Sequence, residues 1–299
     1  KPPIESYDDS LASSNRYLFG SVDDTAADGE SYSGPFWLYI IDRQGRIVWY
    51  YGNMEDNPIL GFPRLSRDNR YIFFGKRVRN ADVGEIDPTL VKMTLDFEYF
   101  DEIQIDLWDN VDMTDDGSFL FNTRGGWGGQ DSWLVEYLPN GTERNIWNCS
   151  DVMGEDCYSN TVNWNPLDDT VLMSFPYPGV VVEIDRDSGE IVGAYGNWNG
   201  CYDFDPPSWD FGFQHYANIT PGGTLMVSSH MPNSNSNHGF IEFQIDRTNE
   251  VLIEEWYYDG GNEWPHAMGE AHYVEGSDNL LGNYGTGGVI KEITQDKEV

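Results

Sequence analysis

The sequence predicts an all-β protein: a six-bladed β-propeller of four-stranded antiparallel blades around a central channel. Three observations predict it. Short runs rich in Val, Ile, Tyr, Phe and Trp alternate with turn signals along all 299 residues. No long stretch carries a helical apolar period, so helix is a minor component. One unit (a strand, a tight Asp- or Gly-centred turn and a second strand) also returns along the chain. Its turns lie at Asn69, Gly117, Asp169, Gly223 and Asn279, spaced 48, 52, 54 and 56 residues apart.

The copies of this unit run from Leu65 to Phe74, Val111 to Phe121, Val162 to Phe175, Ala217 to Ser228 and Tyr273 to Gly282. A second, more exposed hairpin lies between them, clearest in Trp37 to Tyr50 and degenerate in Leu90 to Ile105. It returns at Trp133 to Trp147, Val180 to Tyr195 and Phe240 to Trp256. Two hairpins per period make four strands, which is one propeller blade. Six blades fit the length, the first opening at Arg16 to Gly20 and the sixth ending at Val289 to Ile293. That last blade is short, so the N- and C-terminal segments are expected to pair and close the ring. No linker or shift in composition interrupts residues 1–299, which predicts a single domain.

Composition narrows the partners. Lys and Arg number 17 against 51 Asp and Glu, a net charge of −34, yet aromatics reach 15% with 11 Trp and 18 Tyr. So many aromatics are incompatible with a disordered acidic chain. They suit packing between blades, or stacking on sugar or aryl groups. A surface this acidic repels phosphate backbones and anionic headgroups, which excludes nucleic acid and membrane surfaces. No apolar run approaches the roughly 18 residues of a membrane span. The charge is spread along the chain, as solubility in salty water requires. Asp23-Asp24 with Asp28 and Glu30 form a local cluster that offers Ca²⁺ a structural site.

The three cysteines fit one disulfide, Cys149 with Cys157, and a spare thiol at Cys201. The chain begins at Lys1-Pro2-Pro3 without a start methionine, which suggests a trimmed export signal and a secreted or periplasmic protein. Asn-x-Ser/Thr sequons stand at Asn140, Asn148 and Asn218. A monomer needing no cofactor is expected.

The innermost strand of each propeller blade lines the channel. Aligning the inner hairpins on their turns brings Phe62-Pro63-Arg64, Asn110 with Asp112, Ser159-Asn160, His215 with Tyr216 and Asn218, and Glu270 with His272 to one mouth. Polar groups at these positions would be buried and need partners, and so are candidates for binding a small molecule or glycan. All five histidines, His215, His230, His238, His266 and His272, fall in the last 85 residues. A neutral imidazole can serve as nucleophile, base or metal ligand. No His-x-x-His or Cys-x-x-Cys spacing supports zinc, and no Gly-x-Ser-x-Gly elbow supports a serine hydrolase. The Gly-rich run after Arg124 follows an inner strand and opens no helix, so it is not a phosphate loop.

Three groups of residues carry a family resemblance: Ser159-Asn160-Thr161 through Ser174 with Val182 to Gly189 and Ala194-Tyr195-Gly196; Phe213-Gln214-His215 through Val227; and Gly269-Glu270-Ala271-His272 with Gly282-Asn283-Tyr284-Gly285. Together they resemble the arylsulfotransferase propellers, over about residues 37 to 299. The resemblance implies a six-bladed fold and transfer of a sulfuryl group from an aryl sulfate to a phenol through a sulfohistidine. It implies that His215 is the nucleophile, Asn160 a donor to the sulfuryl oxygens, and His272 a second donor or the acid for the leaving phenolate. Where the family carries an early His-Asp this chain has Asn110 and Asp112, and where it has His before Ser-Asn this chain has Tyr158. In place of the family's arginine after the later serine stands Ser174-Phe175-Pro176. Arg64 and Arg124 are the nearby cations that can replace the lost charge. With Asn110, Tyr158, Tyr216 and His266 they complete the substrate-binding set. The residues themselves leave two other functions open. One is a non-catalytic propeller holding a glycan or a protein partner, and the other is a polysaccharide lyase using a His/Tyr pair.

Overall fold

A computed structural model describes residues 8–15, 17–23, 36–52, 59–79, 86–123, 132–154, 157–230, 238–260 and 268–299. The strands form six sheets in a ring, a six-bladed β-propeller with almost no helix. Blade one holds β1 (Tyr17–Asp23), β2 (Phe36–Asp42) and β3 (Ile47–Tyr51). Blade two holds β4 (Ile59–Leu65), β5 (Ile72–Arg79), β6 (Ile86–Met93) and β7 (Phe100–Gln104). Blade three holds β8 (Leu107–Met113), β9 (Phe119–Thr123), β10 (Trp133–Tyr137) and β11 (Glu143–Asn148). A four-residue helix, α1 (Ser150–Met153), precedes blade four: β12 (Thr161–Asn165), β13 (Thr170–Phe175), β14 (Val180–Asp185) and β15 (Ile191–Gly196). Blade five contains β16 (Asp203–Asp205), β17 (Gly212–Ile219), β18 (Leu225–His230), β19 (His238–Asp246) and β20 (Val251–Asp259). Blade six contains β21 (Glu270–Tyr273), β22 (Leu280–Asn283) and β23 (Ile290–Ile293).

Both kinds of predicted hairpin are present. The inner pairs β4–β5, β8–β9, β12–β13, β17–β18 and β21–β22 turn where the sequence expects. Asn69 and Asp169 hold the left-handed conformation that these turns demand, at φ 56° and 53°. Blades one and six have three strands each among the described residues, and blade five has five. Its extra strand, β16, pairs parallel to β20 and so is announced by no hairpin turn. Among the described residues no helix is long and apolar enough to cross a membrane.

The core lies between blades. Five apolar clusters fill the five interfaces from blades one and two to blades five and six. Aromatic residues supply much of this: Phe73 meets Phe119 edge-on, Trp147 meets Phe175, and Phe240 meets Tyr284. The Cys149–Cys157 disulfide sits in the interface between blades three and four, and Cys201 is a free thiol packed at its margin. Blade six is met by the segment that leads into blade one. The Ser13 N–H donates to Glu292, the Asn279 amide to Glu292 and to the Leu11 carbonyl, and the Asn15 amide to the Glu275 carbonyl.

A second set of contacts crosses the blades farther out. Glu136, Glu183 and Glu242 are buried at one register, opposite Leu120, Leu172 and Met226. Each is met by a group from the next blade: Glu136 by Arg186, Glu183 by Arg247 and Glu242 by the Tyr273 hydroxyl. Arg186 also reaches Asp116 at 2.8 Å and Asp169 at 3.2 Å. Removing one partner of such a pair strands the other as an unpaired charge. Arg247→Ala, which leaves the buried Glu183 carboxylate without its counter-charge, is therefore expected to lower unfolding free energy by about 3 kcal/mol in a urea titration. Substitution of the exposed Asp187 is expected to change it by less than about 0.5 kcal/mol.

Candidate functional site

Three inner strands carry a register slip at the same, mouth-facing end: β4 between Gly61 and Arg64, β8 between Leu107 and Val111, and β17 between Gly212 and Tyr216. A bulge re-aims the side chains it contains. The β17 bulge contains His215 and the β8 bulge contains Asn110. Side-chain amides tie the inner strands of blades four, five and six to one another. The Asn163 amide donates to the Ala217 carbonyl at 2.7 Å, and the Asn218 amide to the Ala271 carbonyl at 3.0 Å. The Asn160 amide donates to the Gln214 carbonyl at 2.9 Å.

Arg64 spans the channel. Its guanidinium pairs with Asp112 of β8 at 3.3 Å, donates to Asn163 Oδ1 of β12 at 2.6 Å, and lies 5.2 Å from the Tyr216 ring centre on β17. One side chain of blade two therefore touches blades three, four and five. Asp112 also accepts from the Trp164 N–H at 2.8 Å. Tyr216 leads on to blade six, its hydroxyl 3.5 Å from His272 Nδ1, with His272 Nε2 3.4 Å from Glu270 Oε2. These last two contacts stand at the long edge of hydrogen bonding. The Asn283 amide donates to the other Glu270 oxygen at 3.3 Å.

The electrostatics follow from this arrangement. Burial lowers the Arg64 pKa, but Tyr216, Asp112 and Glu270 outweigh it and raise it. Burial pushes Glu270 up, yet the His272 hydrogen bond and charge, Arg64 and the Asn283 amide bring its pKa down to about 2. Burial and the nearby carboxylates Glu270 and Asp112 push the Tyr216 hydroxyl well up, against the opposing Arg64 charge. Burial holds His215 down to about 4, with Glu270 opposing. His238 is held down to about 3 by burial and by the His230 and His215 imidazoles. At neutral pH His215 is thus an uncharged imidazole, the form a nucleophile or base requires.

Of the residues singled out from the sequence, Tyr216, His272 and Arg64 come together with Glu270, and His215 lies near enough to feel the Glu270 charge. Asn160 lies at the seam between blades four and five, where one N–H serves the Gln214 carbonyl and its Oδ1 finds no partner among the described residues. Asn110 is buried with neither side-chain polar atom partnered among the described residues. Tyr158 is half-buried just before β12. Arg124 and His266 lie outside the described residues, as do Asp24, Asp28 and Glu30 of the acidic cluster. Among the described residues no group of three or more His, Cys, Asp and Glu side chains is placed to hold a metal ion. The sequence reading missed Asn163 as a partner of Arg64 and the Ser228 hydroxyl 2.7 Å from His238 Nε2. Asn163 follows Asn160 by three residues, which was the available signal; Ser228 had none.

No protein-family model matches the chain, and no curated protein matches it. Solved structures do. A Bacteroides caccae protein of unknown function aligns with a TM-score of 0.57 and 13% identity over 88% of each chain. A chain of a nidogen/laminin complex aligns with a TM-score of 0.56 and 8% identity, over 94% of this chain and 89% of that one. A periplasmic gluconolactonase of Pseudomonas aeruginosa aligns with a TM-score of 0.52 and 13% identity, over 95% and 83%. At such identities the likeness is one of fold.

The shifted groups separate two pH windows. His215 and His238 bind protons more readily unfolded, at a reference value of 6.5, than folded. Their neutral forms therefore contribute stability that is complete above about pH 6.5 and declines as pH falls toward 4. Glu270 contributes stability present above its ordinary 4.5 and lost as pH falls toward 2. In denaturation midpoints measured against pH, His215→Asn is expected to flatten the first slope and Glu270→Gln the second.

Proposed function

We propose that this chain is an enzyme of the arylsulfotransferase type, working at the channel mouth between blades five and six. The observation that carries the reading is the cluster of Tyr216, His272 and Glu270 with Arg64, beside which His215 lies near enough to feel the Glu270 charge. An imidazole nitrogen of His215 attacks the sulfur of an aryl sulfate, and the sulfur–oxygen bond to the aryl group breaks. His272, oriented by Glu270, stands beside the Tyr216 hydroxyl, so either can hand a proton to the departing phenolate. The sulfuryl group then passes from His215 to a phenolic acceptor, whose proton returns to the same pair. Arg64 supplies positive charge for the sulfuryl oxygens. A soluble extracytoplasmic protein acting on a small molecule fits the disulfide and the acidic surface.

The Tyr216–His272 contact favours a second reading, a lyase in which this pair removes and returns a proton on a uronate polymer. Para-nitrophenyl sulfate with phenol as acceptor separates the two. Release of nitrophenolate, abolished in His215→Ala and reduced roughly a hundredfold or more in His272→Ala, is the result expected for sulfuryl transfer. No release from any aryl sulfate, together with ultraviolet absorbance from unsaturated uronate products, assigns the lyase instead.

A further inference from the structure

Phe213 departs from what folding alone favours. It is 46% exposed, and its backbone sits at φ 55°, a left-handed conformation that a bulky aromatic residue rarely adopts. Strained backbone and an apolar ring turned to solvent both oppose folding, and they occur here in one residue, two positions before His215. The ring is held firmly. It stacks parallel on His230, with centroids 5.4 Å apart and planes 6° apart, and meets Tyr177 edge-on at 5.1 Å and 73°. Tyr177 is itself 53% exposed.

The neighbouring residue explains the rigidity. The buried Gln214 amide donates to the Phe175 and Val180 carbonyls, both at 2.9 Å, the two ends of the turn that carries Tyr177. One side chain thereby clamps the blade-four turn to the blade-five bulge. On the other side, the Gly212 N–H donates to Ser229 Oγ at 3.2 Å, tying the bulge to β18 beside His230. Three aromatic rings from two blades are thus fixed on the rim beside His215.

We infer that Phe213, with Tyr177 and His230, forms a preorganised platform for the planar aryl group of the substrate. A neutral ring gains dispersion and quadrupole contacts from such a stack and meets no repulsion from the acidic surface. The inference deepens the sulfuryl-transfer reading and rests on it for the ring's role in the reaction. Binding to the platform is measurable without turnover, so the two can fail separately.

The test compares phenyl β-glucopyranoside with methyl β-glucopyranoside by ligand-observed NMR titration of the whole chain. The two probes differ only in the aryl ring. The phenyl compound is expected to bind about tenfold tighter, the size of one aromatic stacking contact. Phe213→Gly, which relieves the left-handed strain, is expected to erase that preference while the thermal midpoint stays within a few degrees. If Phe213→Gly does not fold, Tyr177→Ala decides, with a several-fold weaker phenyl affinity expected. Equal affinity for the two glucosides, no binding of either, or an unchanged preference in the folded variant would overturn the inference. Aryl preference without any sulfuryl transfer keeps the platform and removes the proposed reaction. Transfer without aryl preference does the reverse.

Discussion

The buried carboxylates of Glu136, Glu183 and Glu242 set how one blade meets the next. A carboxylate removed from water must find a partner, and each finds one across an interface rather than only in its own sheet. Apolar contacts alone tolerate sliding of one sheet over another. A directional hydrogen bond to a buried charge does not. Blade two shows the same requirement met by different chemistry. At the equivalent register, opposite Phe73, it carries Lys92, whose ammonium lies over the Tyr71 ring at 4.3 Å and the Phe119 ring of blade three at 5.7 Å. With these angles held, the inner strands converge closely enough for Arg64 to contact three other blades.

That convergence gives the channel an unusual charge balance. Arg64 is answered by Asp112 on one side and felt by Glu270 on the other. Both carboxylates lie inside a chain already at −34. Two histidines of this region stay neutral: burial holds His215 and His238 low, and the imidazoles around His238 discourage it from charging. Among the described residues this mouth presents neutral imidazole and hydroxyl groups beside the Arg64 guanidinium. A chemistry led by a neutral nucleophile suits it better than one requiring a cluster of cations.

Much of the architecture was legible because hairpins are local. Turn residues such as Asn69, Gly117 and Asp169 lie within a few residues of the strands they join, so their period exposed the blades. The mouth was legible as far as the period carried it: His215, Tyr216, Glu270, His272 and Arg64 fall at corresponding places in their hairpins. What each side chain touches was not. Arg64 meets Asn163 from 99 residues away, and Arg186 meets Glu136 from 50. No local pattern records such pairings. The bulges were hidden for a related reason, since a one-residue slip before Arg64 or a two-residue slip before Tyr216 leaves the alternation on either side intact. Strand β16 escaped because its parallel partner comes after the rest of the blade.

The meeting of blades six and one stands apart from the other five. Each of those is filled by an apolar cluster, whereas here Ser13, Asn15, Asn279 and Glu292 share hydrogen bonds and, among the described residues, no apolar cluster bridges the two. Hydrogen bonds near the surface exchange with water readily, while interdigitated side chains must separate together. Among the described residues the circle has five dry joints and one hydrogen-bonded one. The segment leading into blade one is thus held to blade six by groups that water can replace singly, whereas the other joints are held by side chains that must part together.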